Sequence, residues 1–194
     1  MLHLIKYFLM ALTETRKIAL GFDAPKFSLL DVVRNEHRQL KDLKGEKATV
    51  VMFICNHCPY VIHVREQLVK LANDYRLKGI GFIATSSNDV ENYPQDSPEE
   101  MRKLADEMGF PFPYLFDETQ EVAKAYQAEC TPDFMVFDSS LKCIYRGRLD
   151  DSTPGNGRPV TGSDLRTVLN DVLEGNRLRG EQFPSMGCNI KWKA

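Results

Sequence analysis

The chain has 194 residues, enough for one compact domain with a substantial core and no need of covalent staples. Apolar residues make up 43% and charged residues 27%, with no biased tract, which excludes the disordered, collagenous and coiled-coil classes. With 25 Lys+Arg against 27 Asp+Glu the net charge is -2, so no general attraction to phosphate backbones or anionic lipid exists, and functions on nucleic acid or at a membrane surface are set aside.

The apolar stretch Tyr7 to Leu12 is too short to span a bilayer, and Glu14, Arg16 and Lys17 follow it. Between Leu2 and Leu20 there is neither a long apolar signal core nor a small-x-small cleavage site, so a cytoplasmic location is expected. Residues 1–20 read as an N-terminal extension, and the first nine, ahead of Met10, as an upstream extension of the reading frame. Phe27 to Val33, with a turn at Arg34-Asn35-Glu36, predicts an accessory hairpin. Ala48 to Ile54 is a short β-branched apolar run and reads as a buried strand.

From Pro59 to Leu77, Val61, Val64, Leu68, Leu71, Ala72 and Tyr75 recur at three- and four-residue steps, which predicts an amphipathic helix closed by Gly79. Ile80 to Thr85 is the next strand, and a right-handed crossover sets it parallel to the first. Ser97 can cap, and Pro98 can open, a helix through Met101, Leu104 and Met108 to Gly109. Tyr114 to Phe116 reads as a short extended piece and Thr119 to Tyr126 as a short helix. Phe134 to Asp138 and Cys143 to Arg146, separated by Ser139 to Lys142, predict an antiparallel hairpin. Asp150 to Gly162 is an exposed loop, Leu165 to Leu173 a last amphipathic helix, and the tail from Asn176 is expected to be irregular. With no repeat or linker, the reading is one α/β domain over residues 21–175, a parallel half followed by an antiparallel half, with a tail of residues 176–194 packed on or near it.

Five cysteines, at positions 55, 58, 130, 143 and 188, are an odd and sparse set, a poor disulfide framework for a reducing compartment. Cys55 and Cys58 lie at the C-terminal end of the first strand, where the following helix presents free N–H groups and its positive dipole end to the sulfurs. That placement predicts Cys55 at the cap, more exposed and more acidic than Cys58, with His57 tuning the thiolate. The two sulfurs are expected to be the closest pair and to form the disulfide of the oxidised protein. Chain entropy credits so short a loop with only roughly 2 kcal/mol, against roughly 4.5 kcal/mol for a loop from Cys55 to Cys130, so the pair suits exchange better than architecture.

Cys55-Asn56-His57-Cys58-Pro59, the βαβ unit around it and Thr131-Pro132 before the hairpin resemble the thioredoxin superfamily. Within it the chain looks like the peroxiredoxin-like branch of the alkyl hydroperoxide reductase/thiol-specific antioxidant (AhpC/TSA) proteins, over about Phe22 to Glu174 and again in the tail from Pro184 to Trp192. The resemblance implies a thioredoxin-like fold, a central mixed sheet flanked by helices. It also implies a cis-proline at Pro132 facing the dithiol, and an edge at the Thr131 backbone for an extended substrate. The activity implied is thiol–disulfide exchange in redox homeostasis. Cys55 attacks, Cys58 resolves, the partners are protein or small-molecule disulfides and a dithiol reductant, and no organic cofactor is required.

Two departures from the patterns stand out. Ile54, Asn56 and His57 replace the usual thioredoxin residues around the pair. In a peroxiredoxin alignment, with Cys58 peroxidatic, Val51 and Cys55 occupy the proline and threonine positions. The alternatives are therefore a thiol peroxidase using Cys58, or a non-catalytic module binding a metal or a partner chain. A zinc site on Cys55 and Cys58 would need more ligands, and Cys58-x4-His63 offers one without a second closely spaced pair, so no metal is assigned. His63 reads as a partly exposed helical residue. Cys130, two residues before Pro132, is a candidate extra thiol. Cys143 and Cys188 are expected to be structural, Cys188 reaching the dithiol only if the tail folds back. Oligomeric state is not legible.

Overall fold

The structure is a computed structural model that describes residues 12–178 and 181–194; the upstream extension expected over residues 1–9 lies outside the described residues. Its centre is β4 (Ala48–Phe53), buried at every position, with β5 (Ile80–Ser86) parallel on one side and β8 (Asp133–Asp138) antiparallel on the other. Beyond β5 lie β6 (Tyr114–Phe116), parallel to it, then β2 (Ser28–Asp31) and β3 (Glu36–Gln39), the N-terminal hairpin; beyond β8 lies β9 (Cys143–Gly147). The seven-stranded sheet is thus mixed, and the accessory hairpin is its edge. Two-residue alternation sends Val50 and Met52 to one face and Val51 and Phe53 to the other, so a single strand feeds both cores.

On the first face lie α2 (Pro59–Tyr75), α3 (Pro98–Met108) and α5 (Ser163–Glu174), through Leu68, Leu71, Met101, Leu165 and Leu169. The short α1 (Leu40–Leu43) and α4 (Glu121–Ala125) contribute Leu40 and Ala123 to the second, around Tyr126. The stop signals operate as anticipated: Gly79 ends the α2 region with φ +89, and the Ser97 side chain accepts from the Glu100 N–H at the start of α3.

The tail is the main departure from expectation. It is not irregular throughout: β10 (Met186–Asn189) is antiparallel to β7 (Cys130–Thr131), and β1 (Leu12–Glu14) pairs with its other side. Gly187 makes this approach possible, since a Cβ there would lie 2.0 Å from the Thr131 carbonyl oxygen. None of the helices of the described residues is long and apolar enough to cross a membrane.

Candidate active site

Strand β4 ends in the buried core, and the chain crosses from Ile54 to the start of α2 within five residues; Cys55 and Cys58 fall in that crossing. The helix N-cap is Cys58, not Cys55. The residue nearest the free N–H groups is therefore the second cysteine and not Cys55 as expected, and neither sulfur is exposed, both residues being buried.

Facing them is Thr131, held by a cis bond to Pro132. Thr131 Oγ1 lies 3.4 Å from Cys55 Sγ, and the Thr131 carbonyl accepts from Cys58 Sγ at 3.1 Å. The substrate edge expected at the Thr131 backbone is already taken, because β10 pairs there with Cys188 opposite Thr131 and Asn189 opposite Cys130. This register brings Cys188 Sγ to 2.8 Å from Cys58 Sγ, inside van der Waals contact for two sulfurs and longer than a disulfide bond of about 2.05 Å. All five cysteines stand as thiols.

The acid order follows from these neighbours. Cys58 is pulled far below the usual thiol value by hydrogen bonds from Cys188 and then Cys55, against its own burial. The Thr131 carbonyl, which can only accept, works the other way. Cys55 is pushed well above the usual value by its bond to Cys58, by burial and by the nearby Asp96, and Cys188 is likewise pushed up by its bond to Cys58 and burial. A middle sulfur can accept from both sides, whereas each outer one has a single sulfur partner, so the first negative charge settles on Cys58. The greater acidity expected for Cys55 is corrected accordingly.

Asp96, absent from the sequence reading, is fully buried beside the pair and accepts from the Asn56 N–H at 2.8 Å and the Asn88 side-chain amide at 2.8 Å. His57 Nδ1 lies 2.6 Å from the same carboxylate, with the ring stacked on Tyr93 at 5.4 Å, so His57 is oriented by Asp96. Tyr114 donates to Asn56 Oδ1 at 3.0 Å and completes this wall. Cys55, His57 and Asp96 each offer an atom within 4.8 Å of the others, but a cation there would have to displace groups that already occupy both oxygens of Asp96.

The other candidates lie apart from this group. His63 Nε2 bonds Ser152 Oγ at 2.8 Å. Cys130 has its S–H on the Pro132 carbonyl at 3.7 Å, and burial pushes its thiol up, whereas the tail thiol in contact with Cys58 is Cys188. Cys143 packs in the second core, with its thiol pushed up to about 12 by burial. Beside Pro132 a cavity of about 190 Å³ opens between Tyr60, His63, Phe134, Arg148 and Met186.

Paired thiols at a strand-to-helix crossing, set against a cis-proline on a mixed sheet, define a redox protein with a thioredoxin-like fold. The match of residues 20–146 to the AhpC/TSA family model covers most of the chain, which belongs to that family. A solved structure of an uncharacterized conserved protein from Geobacillus kaustophilus is 58% identical, with a TM-score of 0.93 and 95% of this chain and 97% of that chain covered. The thiol-disulfide oxidoreductase ResA of Geobacillus kaustophilus (strain HTA426) is 28% identical over 139 residues, 71% of this chain and 75% of that protein. A Mycobacterium tuberculosis (strain CDC 1551 / Oshkosh) protein whose name assigns it provisionally to the peroxiredoxins is 29% identical over 117 residues, 60% of this chain and 69% of its own.

Proposed function

We propose that the chain is a thiol–disulfide oxidoreductase whose working dithiol is Cys55 and Cys58, with Cys58 attacking first. The observation that carries this reading is the convergence of both sulfurs on Thr131, ahead of the cis Pro132, with Cys58 at the N-cap of α2 and contacted by a second thiol. The Cys58 thiolate bonds to one sulfur of a substrate disulfide and the other sulfur leaves as thiolate. Cys55 then loses its proton and attacks Cys58 Sγ, closing the Cys55–Cys58 bond and releasing the second substrate sulfur. Two electrons pass from the dithiol to the substrate, and a dithiol reductant returns them. The substrate of this reading is a protein or small-molecule disulfide, and with the Thr131 edge occupied the cavity beside Pro132 offers its flanking groups a place to rest. A reducing, cytoplasmic setting belongs to the same reading and is supported by the odd, sparse cysteine set.

The charge on Cys58 favours one second reading, peroxide reduction. There Cys58 thiolate takes an oxygen from a hydroperoxide, giving a sulfenic acid and an alcohol or water, and Cys55 condenses with it, releasing water. Turnover of Cys→Ser variants on a protein disulfide and on a hydroperoxide separates the two. Exchange requires saturable disulfide reduction that vanishes in Cys58→Ser, and a mixed disulfide trapped on Cys58 in the Cys55→Ser/Cys188→Ser double variant. Fast, saturable peroxide consumption without disulfide reduction would replace the first reading by the second. A mixed disulfide trapped on Cys55 in Cys58→Ser, with none trapped on Cys58 in the Cys55→Ser/Cys188→Ser double variant, would return the attacking role to Cys55.

A further inference from the structure

Cys188 belongs to a tail strand 130 residues away from Cys58, and its position is set on both flanks. Ahead of it, Ser185 Oγ donates to the Gly147 carbonyl at 2.8 Å and the Thr15 N–H donates to the Ser185 carbonyl at 3.0 Å. Behind it, the Ile190 N–H reaches the Glu129 carbonyl at 3.1 Å, the Lys191 N–H reaches Asn88 Oδ1 at 2.9 Å, and Gln120 Nε2 holds the Lys191 carbonyl at 2.8 Å. Gly187 lets the strand press against Thr131, the residue that also touches Cys55 and Cys58. The fold has therefore closed a very long loop in advance and placed a third thiol against the second.

We propose that Cys188 is a third redox thiol of this site, which exchanges with the Cys55–Cys58 disulfide to form a Cys58–Cys188 disulfide. The inference rests on the reading of Cys55 and Cys58 as the working dithiol. In the step, Cys188 loses its proton and its thiolate attacks Cys58 Sγ; the Cys58–Cys188 bond forms as the Cys55–Cys58 bond breaks, and Cys55 leaves as a thiolate that takes up the proton. The exchange is isoelectronic, so no outside oxidant enters, and the two oxidising equivalents move from the Cys55–Cys58 pair to the tail. The product joins β10 covalently to the start of α2, which fixes the tail over the Thr131 edge, while Cys55 is restored as a thiol. Cys58 is then the branch point between a state that hands electrons back through Cys55 and a state with the edge locked.

The test equilibrates the full chain in glutathione buffers of graded oxidation, quenches with acid, alkylates, and maps disulfides by non-reducing peptide analysis. The wild-type chain is expected to contain both Cys55–Cys58 and Cys58–Cys188, Cys55→Ser mainly Cys58–Cys188, and Cys188→Ser only Cys55–Cys58. Gly187→Val keeps all the thiols but pushes β10 off Thr131, and should lower the proportion of Cys58–Cys188 to Cys55–Cys58 at least tenfold, which serves as an independent measure should a cysteine variant fold poorly. Cys188 recovered as a free thiol from both oxidised wild-type and Cys55→Ser chains, with Cys55–Cys58 present in the wild type, overturns the inference and leaves the dithiol reading standing. Absence of a Cys55–Cys58 disulfide from oxidised Cys188→Ser overturns the dithiol reading itself, and the exchange falls with it.

Discussion

Replacing Asp96 by Asn removes a buried negative charge from beside Cys55 while keeping the size of the side chain. The carboxylate and sulfur atoms lie within 4.8 Å of each other. At that separation and an effective dielectric constant of about 20, two unit charges repel by about 3.5 kcal/mol. The sign is fixed: Asp96 disfavours the Cys55 thiolate, so Asp96→Asn lowers the Cys55 pKa. The largest single cause holding Cys55 up is its bond to Cys58, so the effect is read in a Cys58→Ala background, which removes that bond. The assay is iodoacetamide alkylation of Cys55 against pH, quantified by peptide mass spectrometry, with and without Asp96→Asn. The alkylation midpoint should fall to lower pH, and added salt should change the difference little because the charge is buried. Asn cannot accept all the bonds that Asp96 accepts, so thermal unfolding should register a loss of about 2 kcal/mol and serves as the control for folding. A midpoint that stays in place, or rises, would refute the assignment of Asp96 as the charge that restrains Cys55.

Three further outcomes follow from the packing. Asp133 is fully buried, and burial pushes its pKa up to about 6 although Arg146 Nη2 sits 3.1 Å away. A raised pKa in the folded state means that this group's stabilising contribution is complete below about pH 4 and is lost as pH rises through 6, so the stability difference between wild type and Asp133→Asn should change by about 3 kcal/mol across that window in urea titrations. A flat difference would show that Asp133 does not titrate there. Arg146→Met leaves the Asp133 carboxyl without its cation and should cost about 3 to 5 kcal/mol at pH 7.5 and less at pH 5, measured by chemical denaturation; equal costs at the two pH values would contradict the pairing. Leu68→Ala empties a fully packed position between α2 and the sheet and should cost about 2 to 5 kcal/mol, whereas Ser97→Ala at the start of α3 should cost about 1 kcal/mol, and the reverse order would contradict the assigned packing.

Much of the framework was legible because it is written in short-range pattern. The β-branched run before Cys55, the three- and four-residue repeat from Val61 to Tyr75, and the signals at Ser97, Gly79 and Gly109 each report burial or backbone geometry within a few residues, and the elements formed where those patterns lie. The Cys55/Cys58 pair and Thr131-Pro132 were found for the same reason, as short motifs. Asp96 was missed because, in Pro94-Gln95-Asp96-Ser97, it reads as one more polar residue before a helix; its value arises from Asn88, Asn56 and His57, contributed by other parts of the chain.

Sequence alone determined that this is an α/β domain carrying a dithiol where a strand runs into a helix. What it could not determine is which sulfur holds the charge, whether the Thr131 edge is free, and which other thiol joins the site. Those depend on β10 lying across β7 in a register that sets Cys188 opposite Thr131 and 2.8 Å from Cys58. The acidity of a buried thiol is governed by donors and charges within a few ångströms, and here the decisive donor comes from a strand 130 residues away, so only the tertiary structure could decide it.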